Sequence, residues 1–363
     1  MKTFNIALLP GDGIGPDVVA ETVKVLEAAA ANWQSVELVF TTHQAGAAEY
    51  QRHGDPLPEQ TFAACQDADA VILGAMGLPD VRWPDGRELV PQIDLRERLQ
   101  LYCGLRPIRL YHPDICPLKG YQAGEIDFVI VRESTEGLFS NRLAERDLAA
   151  DVVEDVMRIT RDGARRICRS AFEQAQQRRQ HVCLVDKANV LPSMVFMRAI
   201  FDQIAMEFPD VQTDRVYVDA AALFLVQRPE TFDVLVTENM FGDILSDLAA
   251  GIVGGMGMAP SADIGEDCAI FQPSHGSAPD IAGQGIANPL ATILSGAMML
   301  DWLDHPELQA SAEHIRQAVQ YVLTDPQNRT PDLGGRTRTD QMGDAVVRAL
   351  QVPPDELTGC AMA

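Results

Sequence analysis

The chain is short of positive charge. Its 363 residues carry 29 Lys and Arg against 52 Asp and Glu, a formal net charge of −23. A field of that sign repels nucleic-acid backbones and anionic lipid, which argues against nucleic-acid or membrane binding through overall charge. An anionic small molecule can still bind, but only at a local basic cluster. Long apolar runs are missing too: none approaches the roughly 20 residues that span a bilayer. Met1-Lys2-Thr3-Phe4-Asn5 leads straight into a strand-like run and lacks the apolar stretch and cleavage site of a signal peptide. The seven cysteines (65, 103, 116, 168, 183, 268 and 360) are odd in number and scattered, with no Cys-x-x-Cys. That pattern predicts reduced thiols in a cytoplasmic protein and argues against a disulfide framework or a zinc site. Repeats, low-complexity tracts and linkers rich in Pro, Gly or Ser are absent, so composition marks no domain boundary.

What is present is alternation. Hydrophobic residues make up 47% and charged residues 22%, ordinary for a globular chain long enough for two domains. Phe4–Leu9 reads as a buried strand, 11–16 as a turn, and 17–31 as a helix with Val18, Val19, Val23 and Leu26 at helical spacing. Further strands are predicted at 36–40, 70–73, 127–131, 181–185, 215–218 and 234–236. Helices are predicted at 152–177, 192–207, 242–253, 288–303 and 306–323, and a surface segment at 142–151. Strands alternating with helices define an α/β protein with a mostly parallel sheet.

Gly11-Asp12-Gly13-Ile14-Gly15-Pro16 follows a strand and opens a helix, but its third glycine comes one residue early for a Gly-x-Gly-x-x-Gly dinucleotide fingerprint. A tight strand-to-helix turn is the better reading, with proline suited to the first helical turn. In 238–247, Asp243 and Asp247 stand four apart and share a helix face. They are either a solvated, dipole-stabilised face or two oxygen ligands of a hard divalent cation. His275-Gly276-Ser277-Ala278-Pro279-Asp280, followed by Asn288-Pro289, is a loop before an apolar helix. Its open amides suit a phosphate or ribose, and Asp280 can accept from ribose hydroxyls; the plainer reading is a structured turn capped by Asn288. Lys187 follows a buried strand, where a lysine either reaches water or, beside a metal or an arginine, serves as a base. Arg96, Arg106 and Arg132 are of the type that grips carboxylates through two hydrogen bonds, but spacing alone does not bring them together.

Taken in order, these stretches resemble the β-decarboxylating dehydrogenase family of isopropylmalate, isocitrate, homoisocitrate and tartrate/D-malate dehydrogenases. The likeness runs from Leu8–Pro16 to Pro331–Gly335 and is most specific in Val185–Leu191, Glu238–Asp247 and His275–Pro289. It implies an isopropylmalate/isocitrate dehydrogenase-like fold: two open α/β domains with a cleft between them, not a Rossmann fold. Residues 1–100 with 250–363 would form a cofactor-binding domain, and 101–249 a substrate and dimerisation domain. It further implies a homodimer with shared active sites. Arg96, Arg106 and Arg132 would hold a dicarboxylate substrate, and Asp243 and Asp247 would bind Mg²⁺ or Mn²⁺. The catalytic Lys187 and Asp219, the latter also a metal ligand, would come from the partner subunit. His275, Gly276, Ser277, Ala278, Asp280 and Asn288 would hold the cofactor, with Asp280 favouring NAD over NADP. The activity implied is metal-assisted oxidation of a 2-hydroxy acid followed by loss of CO₂.

Two departures qualify that expectation. The family has a proton-donating Tyr seven residues after the substrate-binding Arg; this chain has Phe139 after Arg132, which has no proton to give. Oxidation without CO₂ release is therefore an alternative. In the substrate-selecting segment Leu89–Arg96, isopropylmalate enzymes present leucines, whereas this chain presents Gln92, Ile93 and Asp94. Asp94 would repel a third carboxylate and accept from a hydroxyl. A small malate- or tartrate-type substrate is expected, with isopropylmalate as runner-up. A non-catalytic regulatory subunit is the remaining alternative, disfavoured because Lys187, Asp219, Asp243 and Asp247 are all present.

Overall fold

The computed structural model describes residues 1–31, 33–144 and 149–360. Ten strands form one sheet: β1 (Lys2–Gly11), β2 (Val36–Thr42), β3 (Ala70–Ala75), β4 (Cys103–Arg109), β5 (Asp127–Glu133), β6 (His181–Asp186), β7 (Gln212–Tyr217), β8 (Val234–Thr237), β9 (Pro260–Ile264) and β10 (Ala269–Pro273). Their order is β2-β1-β3-β10-β9-β4-β5-β8-β6-β7. Neighbours are parallel except along the run β10-β9-β4-β5, which is antiparallel. One half of the sheet is thus made by residues 2–75 and 260–273, the other by 103–237, and they meet where β9 pairs with β4.

Twelve helices cover this sheet: α1 (Gly15–Ala30), α2 (Ala47–His53), α3 (Glu59–Asp67), α4 (Pro91–Arg98), α5 (Arg161–Gln176), α6 (Pro192–Ala205), α7 (Val218–Gln227), α8 (Asn239–Ile252), α9 (Leu290–Trp302), α10 (Pro306–Thr324), α11 (Thr339–Ala349) and α12 (Pro354–Cys360). Among the described residues no helix is long and apolar enough to cross a membrane. The central strands are buried on both faces, as their β-branched runs require: Val129, Ile130 and Val131 of β5 and Val234, Leu235 and Val236 of β8 are all buried. Phe172 of α5 stacks on Phe208, with ring centroids 5.1 Å apart, and packs against Phe201 of α6.

The predicted strands and most helices are present. The helix predicted from residue 152 instead begins at Arg161. Thr160 caps it, its hydroxyl accepting from Gly163 N at 3.0 Å, while Gly137 and Arg158 form an isolated bridge just before. Val152, Val153 and Val156 lie exposed in chain outside any helix or strand. Of the predicted surface segment at 142–151, residues 145–148 lie outside the described ones; Arg142 is part-buried in a salt bridge. The glycine turn is the tight strand-to-helix turn read from its spacing. Gly13 has φ +59°, and a Cβ there would lie 1.9 Å from the carbonyl oxygen of Ser277, which accepts from Ile14 N at 2.9 Å. This turn therefore braces the 275–280 loop.

Candidate active site

A cleft opens over the strand ends near the β9–β4 junction. It is lined by Met76, Gln92, Arg96, Arg106, Arg132, Asp243, Ser246, Asp247, Gln272, His275 and Gly276, among others. The three arginines converge here although far apart in sequence. In the sheet register Asp263 of β9 pairs with Gly104 of β4, which pairs with Arg132 of β5. Directly paired residues face the same side, and so does Arg106, two residues from Gly104. Arg96 arrives separately, on the last turn of α4.

Each arginine is held by the fold. Arg132 Nε and Nη2 donate to Asn239 Oδ1 at 3.0 and 2.7 Å, and its Nη1 donates to Asp243. Its stem passes over Gly242, where a Cβ would lie 2.7 Å from Arg132 Cγ, so only glycine fits that turn of α8. Burial pushes the Arg132 pKa down to about 10, helped by Arg96 and Arg106 and opposed by Asp243. Arg106 Nη2 donates to Asp263 Oδ1 at 3.2 Å, and Arg96 Nε to Asp263 Oδ2 at 2.9 Å. Asp263 is fully buried. Burial alone would raise its pKa, but Arg96, Arg106 and Arg132 outweigh it and hold it at about 2.

Asp243 and Asp247 do share a helix face and both line the cleft. Burial, and then the Asp243 charge, raise the pKa of Asp247. Two crowded carboxylates suit a hard divalent cation, which prefers oxygen donors. Among the described residues no three His, Cys, Asp or Glu side chains gather as a metal site, so one chain supplies only this pair. Lys187 and Asp219 do not line the cleft. They pair with each other, Nζ to Oδ1 at 2.6 Å, after β6 and on the first turn of α7. That contact lowers the Asp219 pKa.

Asp94 departs from the sequence expectation. Gln92 and Arg96 are four apart on α4 and face the cleft, whereas Asp94, midway between them, turns away. Arg142 donates to Asp94 at 2.6 Å and also binds Glu97. The argument that placed Asp94 against a substrate hydroxyl therefore fails. Gln92 stands in the cleft instead, with its Oε1 buried and without a hydrogen-bond partner among the described residues.

In the 275–288 loop the functional and the plain readings divide by residue. Ser277 Oγ donates to Gly77 O, and Asn288 donates to Asp332 at 3.0 Å and accepts from Leu290 N at 3.0 Å, so both are tied into the fold. Ala278 adopts φ +38°, turning the loop. His275 Nδ1 lies 2.9 Å from the Gly276 carbonyl oxygen, an acceptor, so Nδ1 carries the proton and Nε2 is a bare acceptor. That Nε2 is buried without a partner among the described residues, and burial lowers the His275 pKa, which favours the neutral ring. Gly276 and Asp280 are exposed beside it. An unmet acceptor next to an open glycine and an exposed carboxylate fits a ligand with amide and hydroxyl donors.

Asn239, Asp263 and Gln272 escaped the sequence reading. Asn239 could have been found, since it lies four residues before Asp243 on the same helix face. Asp263 could not, because only the strand register puts it beside two arginines.

The fold and cleft define an α/β protein with three arginines and a pair of carboxylates lining one cleft over a mixed sheet. The family described as isocitrate/isopropylmalate dehydrogenase matches residues 5–346, and the chain belongs to it. Similar proteins include the 3-isopropylmalate dehydrogenase of Moorella thermoacetica, 46% identical over 361 residues (96% of this chain, 99% of the relative). That of Zymomonas mobilis is 44% identical over 357 residues (96% and 100%). Among solved structures, isocitrate dehydrogenase from Methylococcus capsulatus superposes with TM-score 0.86 at 38% identity (96% and 100%). A β-decarboxylating dehydrogenase from Thermococcus kodakarensis does so with TM-score 0.80 at 38% identity (96% and 96%). The chain is an enzyme, a dehydrogenase of the β-decarboxylating type.

Proposed function

We propose that the enzyme oxidises a 2-hydroxy dicarboxylate with NAD and Mg²⁺ or Mn²⁺, and that 3-isopropylmalate is the first substrate to test. The convergence of Arg96, Arg106 and Arg132 on one cleft carries this reading, because it is the local basic cluster that a chain of charge −23 needs for an anion. Relatives named 3-isopropylmalate dehydrogenase support the substrate, and the loss of Asp94 to Arg142 removes the argument for malate or tartrate. The buried, unpartnered Gln92 Oε1 favours a second reading, a small diacid bearing a hydroxyl.

Asp243 and Asp247 would hold the metal, with Asp219 of a second copy completing the set. When bound, the metal supplies Lewis acidity toward the 2-hydroxyl and the nicotinamide takes up hydride. The arginines orient the carboxylates. In the resting chain the Lys187 ammonium pairs with Asp219; as a base, Lys187 of a second copy would first give that proton to water and then, as a neutral amine, take the proton of the hydroxyl. His275 Nε2 would be free to accept from a donor on the cofactor, and Asp280, which would repel a 2′-phosphate, favours NAD. Phe139 offers no proton to an enolate, so CO₂ release needs water or Lys187 as donor.

A homodimer with shared sites, in the cytoplasm, completes the reading. Its support is the exposed apolar surface of Leu223 and Val226 on α7, Ile244 on α8 and Val195 on α6, close in sequence to Asp219, Asp243 and Lys187. The strand order supports a division into residues 1–100 with 250–363 and residues 101–249. The deciding experiment is a screen of NAD⁺ reduction with 3-isopropylmalate, D-malate and tartrates, with either metal and either nicotinamide cofactor. No activity on any of them would overturn the proposal.

A further inference from the structure

We propose that Arg142 is a positioning residue for the reaction: it ties α4 to the turn that carries Phe139, and so fixes the distance between Arg96 and Arg132 across the cleft. The inference rests on the dicarboxylate reading above for its ligand and adds a residue that lies outside the cleft and outside the motifs quoted.

Arg96 and Arg132 reach the cleft from different halves of the sheet. Helix α4 is fastened to the half made by residues 2–75 and 260–273. Its Leu95 is buried in one apolar cluster with Leu9, Phe62, Leu73 and Ile270. Its Arg98 donates to Glu59 of α3 at 2.7 Å and lies over the Phe62 ring, and its Arg96 is held by Asp263 of β9. Phe139 and Arg142 belong to the other half, just after β5. Phe139–Asn141 is one 3₁₀ turn, closed by Arg142 N donating to Phe139 O at 3.1 Å and Ser140 Oγ to Gly137 O at 2.9 Å. Gly137 and Arg158 exchange two main-chain hydrogen bonds, 2.8 and 3.2 Å long. With the Phe139 ring against the Arg132 guanidinium, Arg132 and Arg142 are parts of one stiff unit.

Arg142 joins that unit to α4. Its Nε and Nη2 donate to the two oxygens of Glu97 at 2.8 and 2.6 Å, and Nη2 donates also to Asp94 Oδ1 at 2.6 Å. The side chain is 17% exposed, so water and salt screen these pairs incompletely. A forked contact of this kind fixes orientation as well as distance, which a lysine ammonium, a point donor, does not. Asp94 and Glu97 are three apart and share one face of α4, whereas Gln92 and Arg96, four apart, share another that lines the cleft. One short helix thus turns its acids to the neighbouring half and its ligand-facing groups to the cleft. Any displacement at the acid face carries Arg96 and Gln92 with it, and shifts of about 1 Å matter for a bound ligand.

The test is calorimetric binding of 3-isopropylmalate and, separately, of NAD to the full-length, Mg²⁺-loaded chain, each alone so that nothing turns over. Arg142→Ala should weaken the acid about tenfold, the scale of a charge-assisted contact, and leave NAD unchanged. In turnover it should raise KM with little change in kcat, and Arg142→Lys should restore the affinity only in part. In a chain already carrying Asp94→Asn and Glu97→Gln, Arg142→Ala should have no further effect on the acid. A merely structural role predicts weakening of both ligands together, or effects that add; either result overturns the inference. Should Arg142→Ala not fold, Glu97→Gln alone keeps the shape and loses the charge, and should still weaken the acid and spare NAD; unchanged affinity overturns the inference. Hydrogen exchange gives a check that needs no ligand: Arg142→Ala should speed exchange in residues 91–98, and unchanged exchange overturns the inference. If the unaltered chain binds no 3-isopropylmalate, the substrate reading falls and exchange alone judges Arg142. If it binds the acid and the variants match it, only the role of Arg142 falls.

Discussion

Lys187 Nζ lies 2.6 Å from Asp219 Oδ1, and neither side chain lines the cleft of its own chain. On the proposed reading, a base and a metal ligand placed there would act on a neighbouring copy. Lys187→Ala and Asp243→Asn should each lose about 10²-fold or more in kcat, the usual cost of a missing general base or ligand. Subunits of the two variants, unfolded and refolded together, should regain roughly a quarter of the normal rate, since half the dimers are mixed and each mixed dimer has one intact site. No recovery in the mixture would rule out sites shared between subunits.

Phe139 lies against Arg132, with the guanidinium carbon 5.4 Å from the ring centroid, so a hydroxyl on that ring would stand near the site. Phe139→Tyr should raise the CO₂ released per NADH formed toward one if proton delivery limits decarboxylation. Parallel assays of the two products decide it. A ratio already at one in the unaltered enzyme shows that another donor serves.

Gln92 holds a buried oxygen that accepts nothing among the described residues. Gln92→Leu should remove that penalty, raising stability by about 1 kcal/mol in urea unfolding. It should also move kcat/KM toward 3-isopropylmalate over D-malate by about tenfold, the scale of a small hydrophobic contact. A shift toward D-malate would show that the amide does not select against an alkyl group.

Asp263 couples the arginine cluster to pH. Its folded pKa, about 2, lies below the ordinary carboxylate value of 3.8. A depressed acid stabilises the fold above its unfolded pKa and loses that contribution as pH falls through the folded one. Asp263→Asn should therefore cost about 2 kcal/mol at pH 6, and the difference from the unaltered chain should shrink between about pH 4 and pH 2. Urea midpoints across that window test it; a gap constant with pH would assign the cost to packing instead.

The legible parts of the sequence were those with a period or a motif. Val129–Val131 and Val234–Val236 announce buried strands, and the spacing of Asp243 and Asp247 fixes their common face. Strand β4 was hidden because Cys103–Arg109 contains Gly104, Pro107 and two arginines, a composition that suggests a loop until the strand is seen to carry a site residue. Asp94 failed for a related reason. Proximity to Arg96 in sequence suggested a shared site, but two residues along a helix turn a side chain well away from its neighbour. The roles of Asp263 and Gln272 depend on β9 and β10 entering the sheet from the far end of the chain, which no local pattern encodes.

The ladder β9-β4-β5 has a mechanical meaning. Asp263, Gly104 and Arg132 sit on three adjacent hydrogen-bonded strands, each step about 4.8 Å wide. The span across which Arg106 and Arg132 can grip an anion is therefore ruled by main-chain spacing, which resists stretching. Arg96 comes from a helix outside that ladder and is registered to it through the carboxylate of Asp263 on β9, so the same main-chain spacing sets its place too.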